Sequence, residues 1–185
     1  MDAMEKPKII LLKASGSEEF PKDFHKKYHT HIFCQRGSTR FVFNNRPFEC
    51  QQGEFIFWLA DHTIADLHFS KNFNAPVLFV DKQLLSDNFP NLNTATDAIL
   101  HHSVNPILHP DKINKERILK NFQSLYSKSM ETNNRFYTEI LNLQMQLFIL
   151  EMWDIFMDQL ERRNRTLQSG TLYERFVHLL ELHCM

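Results

Sequence analysis

Thr39-Arg40-Phe41-Val42-Phe43-Asn44-Asn45-Arg46-Pro47-Phe48-Glu49-Cys50 reads as two short strands around a turn, and Gln51-Gln52-Gly53-Glu54 leads into a third strand, Phe55-Ile56-Phe57-Trp58-Leu59. The Asn pair decides this reading. Asparagine tolerates positive φ, so two consecutive asparagines between apolar runs predict a tight two-residue hairpin. Further short runs at 8–13, 29–36, 64–69 and 76–80 bring the total to about seven strands. Their spacing, with no long helix between them, predicts a β-sandwich or small barrel rather than a parallel α/β sheet.

The texture changes after Val80, and no glycine occurs again until Gly170. Residues 82–88 and 96–102 predict short helices. Asp111 is placed to cap a helix over about 112–130, with Ile113, Ile118, Leu119, Phe122, Leu125 and Tyr126 at helical spacing. Thr132-Asn133-Asn134 ends it. The next helix, about 136–163, is the longest element. It carries two apolar stripes: Leu141, Met145, Phe148, Met152 and Ile155, and Leu143, Leu147, Leu150, Met157 and Leu160, the second broken at Asp154. Either the helix is buried in a bundle of its own chain, or one stripe packs on the strands and the other on a second protomer. The second reading is preferred because only one other long helix is available to cover it, and the first stripe is assigned to the interface. Residues 162–170 read as a hinge, followed by the start of another amphipathic helix.

Composition narrows the function classes. The chain has 185 residues, 43% of them hydrophobic and 23% charged, with 21 Lys plus Arg against 22 Asp plus Glu. It has no overall positive field for gripping nucleic acid or an anionic membrane. Seventeen phenylalanines predict a bulky core. The apolar region 140–160 is interrupted by polar and acidic residues, so it reads as a soluble helix. Cys34, Cys50 and Cys184 are odd in number and show no CxxC spacing, which fits a reducing cytoplasm.

Several segments together carry a family resemblance. Phe33-Cys34-Gln35-Arg36-Gly37-Ser38, the hairpin 41–48, Gln52-Gly53-Glu54, Leu67-His68-Phe69-Ser70 and Asp81-Lys82-Gln83-Leu84-Leu85 resemble the regulatory half of AraC-type bacterial transcription regulators. Residues 172–183 are similar to the first helix of that family's DNA-binding module. The resemblance implies an α+β fold, with a cupin-like double-stranded β-barrel over 1–81 that senses a small-molecule effector. It further implies a helical dimerisation region over 82–168, and over 169–185 a linker with the first helix of a helix-turn-helix domain. The partners implied are an effector, a second copy of the chain, and DNA only through the missing module, with no membrane.

The chemistry-bearing residues are few. His29 and His31 share one face of a strand, as a cupin metal pair does, but Gln35 stands where a carboxylate would follow, and only His62 and His68 are later candidates. A metal-dependent cupin enzyme is therefore the second reading, with no metal or other cofactor expected. No catalytic constellation stands out. A cyclic-nucleotide sensor fails because no arginine follows Gly53-Glu54 before Arg117. A small polar effector is expected to bind in the barrel between the first hairpin and the aromatic strand, with Trp58 as a stacking surface, Arg40 as a charge partner and His31 as a hydrogen-bonding wall.

Overall fold

The structure, a computed structural model, describes residues 7–89 and 105–168, with side chains described as far as residue 162. The expected helices at 96–102 and beyond 170 lie outside the described residues. Seven of the strands occur about where the sequence places them: β1 (Ile9–Ala14), β2 (Tyr28–Phe33), β3 (Ser38–Phe43), β4 (Arg46–Gln51), β5 (Phe55–Trp58), β6 (Ile64–Phe69) and β7 (Ala75–Asp81). An eighth, β8 (Ile107–Leu108), comes from the second half of the chain and pairs with β5, so the helical region contributes an edge to the sheet.

All pairing is antiparallel. One sheet has the order β1-β7-β2-β5-β8 and the other β4-β3-β6, so the β unit is two facing sheets with open edges rather than a closed barrel. The Asn44-Asn45 turn joins β3 to β4 with φ of 47° and 64°, as a primed hairpin turn demands. At Gly37 φ is +72°, and a Cβ there would meet the Phe73 backbone at 2.9 Å, so that corner accepts no side chain.

Strand alternation sorts the side chains into two cores. Ile32, Ile56, Trp58, Val77 and Phe79 of the larger sheet face Phe41, Phe43 and Cys50 of the smaller one. From the other side of the larger sheet, Phe33, Phe55, Leu78 and Val80 meet the helices. The inner strands of the larger sheet are therefore covered on both faces, which is why Phe55-Ile56-Phe57-Trp58 is apolar without alternation.

The helices begin where their caps dictate. α1 (Phe24–Lys27) is a single turn before β2. The Asp81 carboxylate accepts from the Gln83 and Leu84 amides at 3.0 and 3.1 Å, starting α2 (Lys82–Asp87). Asp111 accepts from the Asn114 amide at 2.9 Å and starts α3 (Lys112–Ser129). The longest element is α4 (Tyr137–Gln168), which continues into the segment expected to be a hinge as far as Gln168. By composition this helix is long and apolar enough to cross a membrane. Here one face packs against the chain's own sheet and α3, and a polar edge pairs with α3. Arg117 bridges Glu151 at 2.6 Å and Asp154 at 2.8 Å, and Arg162 joins Asp111 to Asp158. Asp154, the break in the second stripe, is thus a partner for α3. Half-exposed ion pairs of this kind contribute at most about 1 kcal/mol each, so their main effect is to fix which edge of α4 meets α3.

The interface assignment of the first stripe is corrected. Leu141, Met145, Phe148 and Ile155 are buried in the core under the helices, with Phe148 only 2% exposed, and Met152 packs against that core. The first three residues of the second stripe are outside, with Leu143, Leu147 and Leu150 65, 50 and 44% exposed, while Met157 and Leu160 are half-buried against the core. Both stripes have the right period, and only the position of the sheet distinguishes them.

The hairpin gives a direct test. Asn45→Val forces a β-branched residue into the left-handed region and is expected to cost about 1–2 kcal/mol, whereas Asn45→Gly is neutral or stabilising. Urea unfolding midpoints of the two variants check this, and equal midpoints would contradict the turn geometry.

Candidate functional site

The three residues expected to share an effector site occupy three different places. Trp58 faces the space between the sheets but is fully buried, with Phe41 edge-on at a ring distance of 5.0 Å and Phe24 beside it. Trp58 Nε1 and Thr30 Oγ1, on paired residues of β5 and β2, are buried with no hydrogen-bond partner among the described residues. Arg40 points the opposite way. It lies across from Glu49 and His68 in register, on the outer face of the smaller sheet, and with Asp66 these side chains line an open groove of mixed charge. His31 is on the other side of the larger sheet, under the helices. The expected site is therefore not assembled: the space between the sheets is filled with aromatic rings, and β3 turns Arg40 away from it. Register decides this, because neighbouring strand residues face opposite sides.

His29 and His31 do share a face, as their spacing requires. His31 is buried and stacks on Phe57 at 4.5 Å with an interplanar angle of 17°, and Phe148 and Phe122 meet it edge-on at 5.3 and 6.0 Å. His29 accepts a hydrogen bond through Nδ1 from the Ala60 amide at 3.3 Å. Burial pushes its pKa from 6.5 down to about 4, overcoming the opposite pull of Asp61 and Asp81, while His62 and Lys82 act in the same direction as burial. At neutral pH the ring is uncharged, and with Nδ1 accepting, its hydrogen sits on Nε2.

The two later candidates, His62 and His68, do not converge on this pair. His62 stacks on Phe43 at 5.1 Å, and His68 is exposed on β6 with Nδ1 at 2.8 Å from the Asp66 carbonyl. Among the described residues no three His, Cys, Asp or Glu side chains gather as metal ligands. The donor set does not fit a cupin metal centre, and no metal chemistry is derived from it.

What the fold does build at His29 and His31 is a cavity of about 430 Å³ between the larger sheet and the helices. Its floor is His29, His31, Phe55, Phe57 and Leu59, with Leu108 of β8 at one side. Leu85, Ser86 and Phe89 form a wall at α2, and Phe148, Ile149, Met152, Trp153 and Phe156 of α4 form the roof. Sequence reasoning found His31 but not the cavity. Its walls are ordinary core residue types, and Trp153 reads as packing. The one signal was the alternation of His29, His31 and Phe33 with Tyr28, Thr30 and Ile32, which marks two different apolar faces.

The buried cysteines lie on the far side of the sheet. Cys34 and Cys50 are both free thiols. A hydrogen bond shared with Cys34, together with burial, pushes the Cys50 thiol far above its usual range, so it stays protonated.

No family model matches the sequence, and no curated protein matches it. Solved structures that it is similar to include the AraC-like transcriptional activator CuxR, at 12% identity and a TM-score of 0.42 over 89% of this chain and 59% of that one. Another is apo ToxT from Vibrio cholerae, at 8% identity and a TM-score of 0.44 over 82% of this chain and 58% of that one. Oxalate decarboxylase from Bacillus subtilis is similar over 45% of this chain and 28% of its own, at 10% identity and a TM-score of 0.27. The chain thus spans somewhat under three fifths of the length of the first two of these proteins.

The depressed pKa of His29 predicts a pH dependence of stability. Between pH 6.5 and about 4 the unfolded chain binds a proton that the folded chain refuses, so this contribution to stability falls as pH falls through that window and is level below it. The full effect is roughly 3 kcal/mol. Asparagine keeps an acceptor near Nδ1 without titrating, so His29→Asn should flatten the fall in melting temperature across this window. Parallel curves for parent and variant would contradict the burial argument.

Proposed function

We propose that the chain is the effector-sensing and dimerisation region of an AraC-type transcription regulator working in the reducing cytoplasm, with DNA bound through a separate module. One observation carries this reading. A two-sheet β unit passes into a helix pair whose longer member, α4, roofs a ligand-sized cavity with one face and exposes leucines on the other. The motif resemblance in Phe33 to Ser38, in the hairpin and in Asp81 to Leu85 supports it, and the free thiols of Cys34 and Cys50 suit the compartment.

The dimer in this reading forms through the outer face of α4. Phe136, Ile140, Leu143, Leu147 and Leu150 recur at spacings of four and three, which is the pattern of a coiled-coil seam. Phe136 and the three leucines are exposed, and Ile140 is half-buried. The occupant proposed is a second copy of α4, because a seam of period 3.5 complements its own symmetry mate. The seam is modest. A standard stable interface uses about 20–30 residues a side, so these five residues support association in the micromolar range rather than a tight dimer. Phe148 and Leu147 are neighbours on α4, one under the roof of the cavity and one on the seam. A shift of this helix on ligand binding therefore moves the seam with it.

Sedimentation should show a monomer–dimer equilibrium with a midpoint at micromolar concentration, shifted at least tenfold toward monomer by Leu147→Glu with the melting temperature kept. Phe148→Glu should instead unfold the chain, since it buries a charge beside His31 and Phe122. The regulatory role is tested by fusing residues 1–185 to a monomeric DNA-binding domain that holds its palindromic operator only as a dimer. Operator occupancy is expected for the parent fusion and lost with Leu147→Glu. Equal occupancy by the two fusions would overturn the proposed interface.

A further inference from the structure

We infer that the cavity between the larger sheet and α4 is a binding site for an uncharged, largely apolar small molecule, of aromatic character and with a single hydrogen-bonding group. This deepens the reading of the chain as a sensing region. It relocates the ligand from the space between the sheets, which Trp58, Phe41 and Phe79 fill, to the other side of the larger sheet.

The size is right for such a ligand. Small-molecule sites occupy about 300–1,000 Å³ and are mostly apolar with a few placed polar groups, and this cavity of about 430 Å³ falls in that range. Its walls are carbon. Five of its phenylalanines, Phe55, Phe57, Phe89, Phe148 and Phe156, come from the sheet, from α4 and from the end of α2, so aromatic surface faces the space from opposite sides. The ring nitrogens of His31 and Trp153 are fully buried, so these two rings turn carbon toward any occupant.

Charge is excluded by what is missing from the lining. Among the described residues it contains no Asp, Glu, Lys or Arg, and the one imidazole with a solvent-reachable edge, His29, is neutral because burial disfavours its cation. A carboxylate or ammonium entering here would give up its hydration without a counter-charge, which costs several kcal/mol. An uncharged molecule meets no such penalty.

One polar anchor remains. The Ala60 amide occupies His29 Nδ1, so the hydrogen of the neutral ring is on Nε2, and Ser86 brings a hydroxyl to the rim from α2. These two groups suit an oxygen on the ligand, such as a phenol or ketone.

The experiment uses the full chain at pH 7 with three probes of one shape: 2-naphthol, 2-naphthoate and naphthalene. Isothermal titration and melting curves should show that 2-naphthol binds, that 2-naphthoate binds at least tenfold more weakly, and that naphthalene falls between them. His29→Phe should remove the preference for 2-naphthol over naphthalene while keeping the fold. Ser86→Trp, at an exposed position on the rim, should abolish binding of all three without touching the core, and Met152→Trp should do the same from the roof. Binding of 2-naphthoate as tight as that of 2-naphthol, or binding unaffected by Ser86→Trp, would overturn the inference, as would no binding of any probe by a folded chain. The sedimentation of Leu147→Glu is independent of these readouts. A chain that binds 2-naphthol but never associates would remove the dimer reading and leave the site standing.

Discussion

The inner strands of the larger sheet, β7, β2 and β5, are covered on both broad faces, and most of the molecule follows from that. The sheet's inner side packs against the three-stranded sheet through Ile32, Ile56, Phe79 and Trp58, and its outer side packs under α3 and α4 through Phe55, Leu78 and Val80. A strand in such a layer has no polar face to offer. Two hydrophobic cores therefore share one backbone layer, and substitutions on adjacent residues of β5 report on different cores.

The helix pair exists to cover the outer core. α3 supplies Ile118, Phe122 and Leu125, and α4 supplies Leu141, Met145, Phe148 and Ile155. Coverage is incomplete between β2, β5 and α2, where the sheet meets α4 across a space rather than in contact. The polar edge of α4, with Glu151, Asp154 and Asp158, is fixed by Arg117 and Asn114 of α3, and Arg162 of α4 reaches Asp111 at the start of α3. With one face in the core and one edge pinned to α3, the remaining apolar face of α4 is left to solvent or to a second copy. One helix thus presents three distinct surfaces around its circumference.

The imidazole pair illustrates how a setting changes a residue's chemistry. Two histidines at i and i+2 on a strand have the spacing of a metal pair. Here one is clamped in aromatic rings and the other has Nδ1 engaged by a backbone amide, in surroundings that favour the neutral ring. The same apolar shell that disfavours a cation on His29 also disfavours a charged occupant of the cavity.

The local elements were legible in the sequence because their causes are local. The Asn44-Asn45 turn, the Asp111 cap, the break at Thr132-Asn133-Asn134 and the two stripes of α4 each depend on residues within a turn or two of one another. The sharing of a face by His29 and His31 follows from the pleat alone. What tertiary structure decided was which face met which layer. Period-2 and period-3.6 patterns fix that residues lie together, and they are silent on which partner covers them when both sides are apolar. So the first α4 stripe went to the core and Leu143, Leu147 and Leu150 of the second to the outside, Arg40 turned away from Trp58, and β8 crossed from the helical half to the sheet edge. The cavity was beyond sequence reasoning for the same reason. Its floor and roof come from segments some ninety residues apart in the chain, and a space between two apolar surfaces has no residue type of its own.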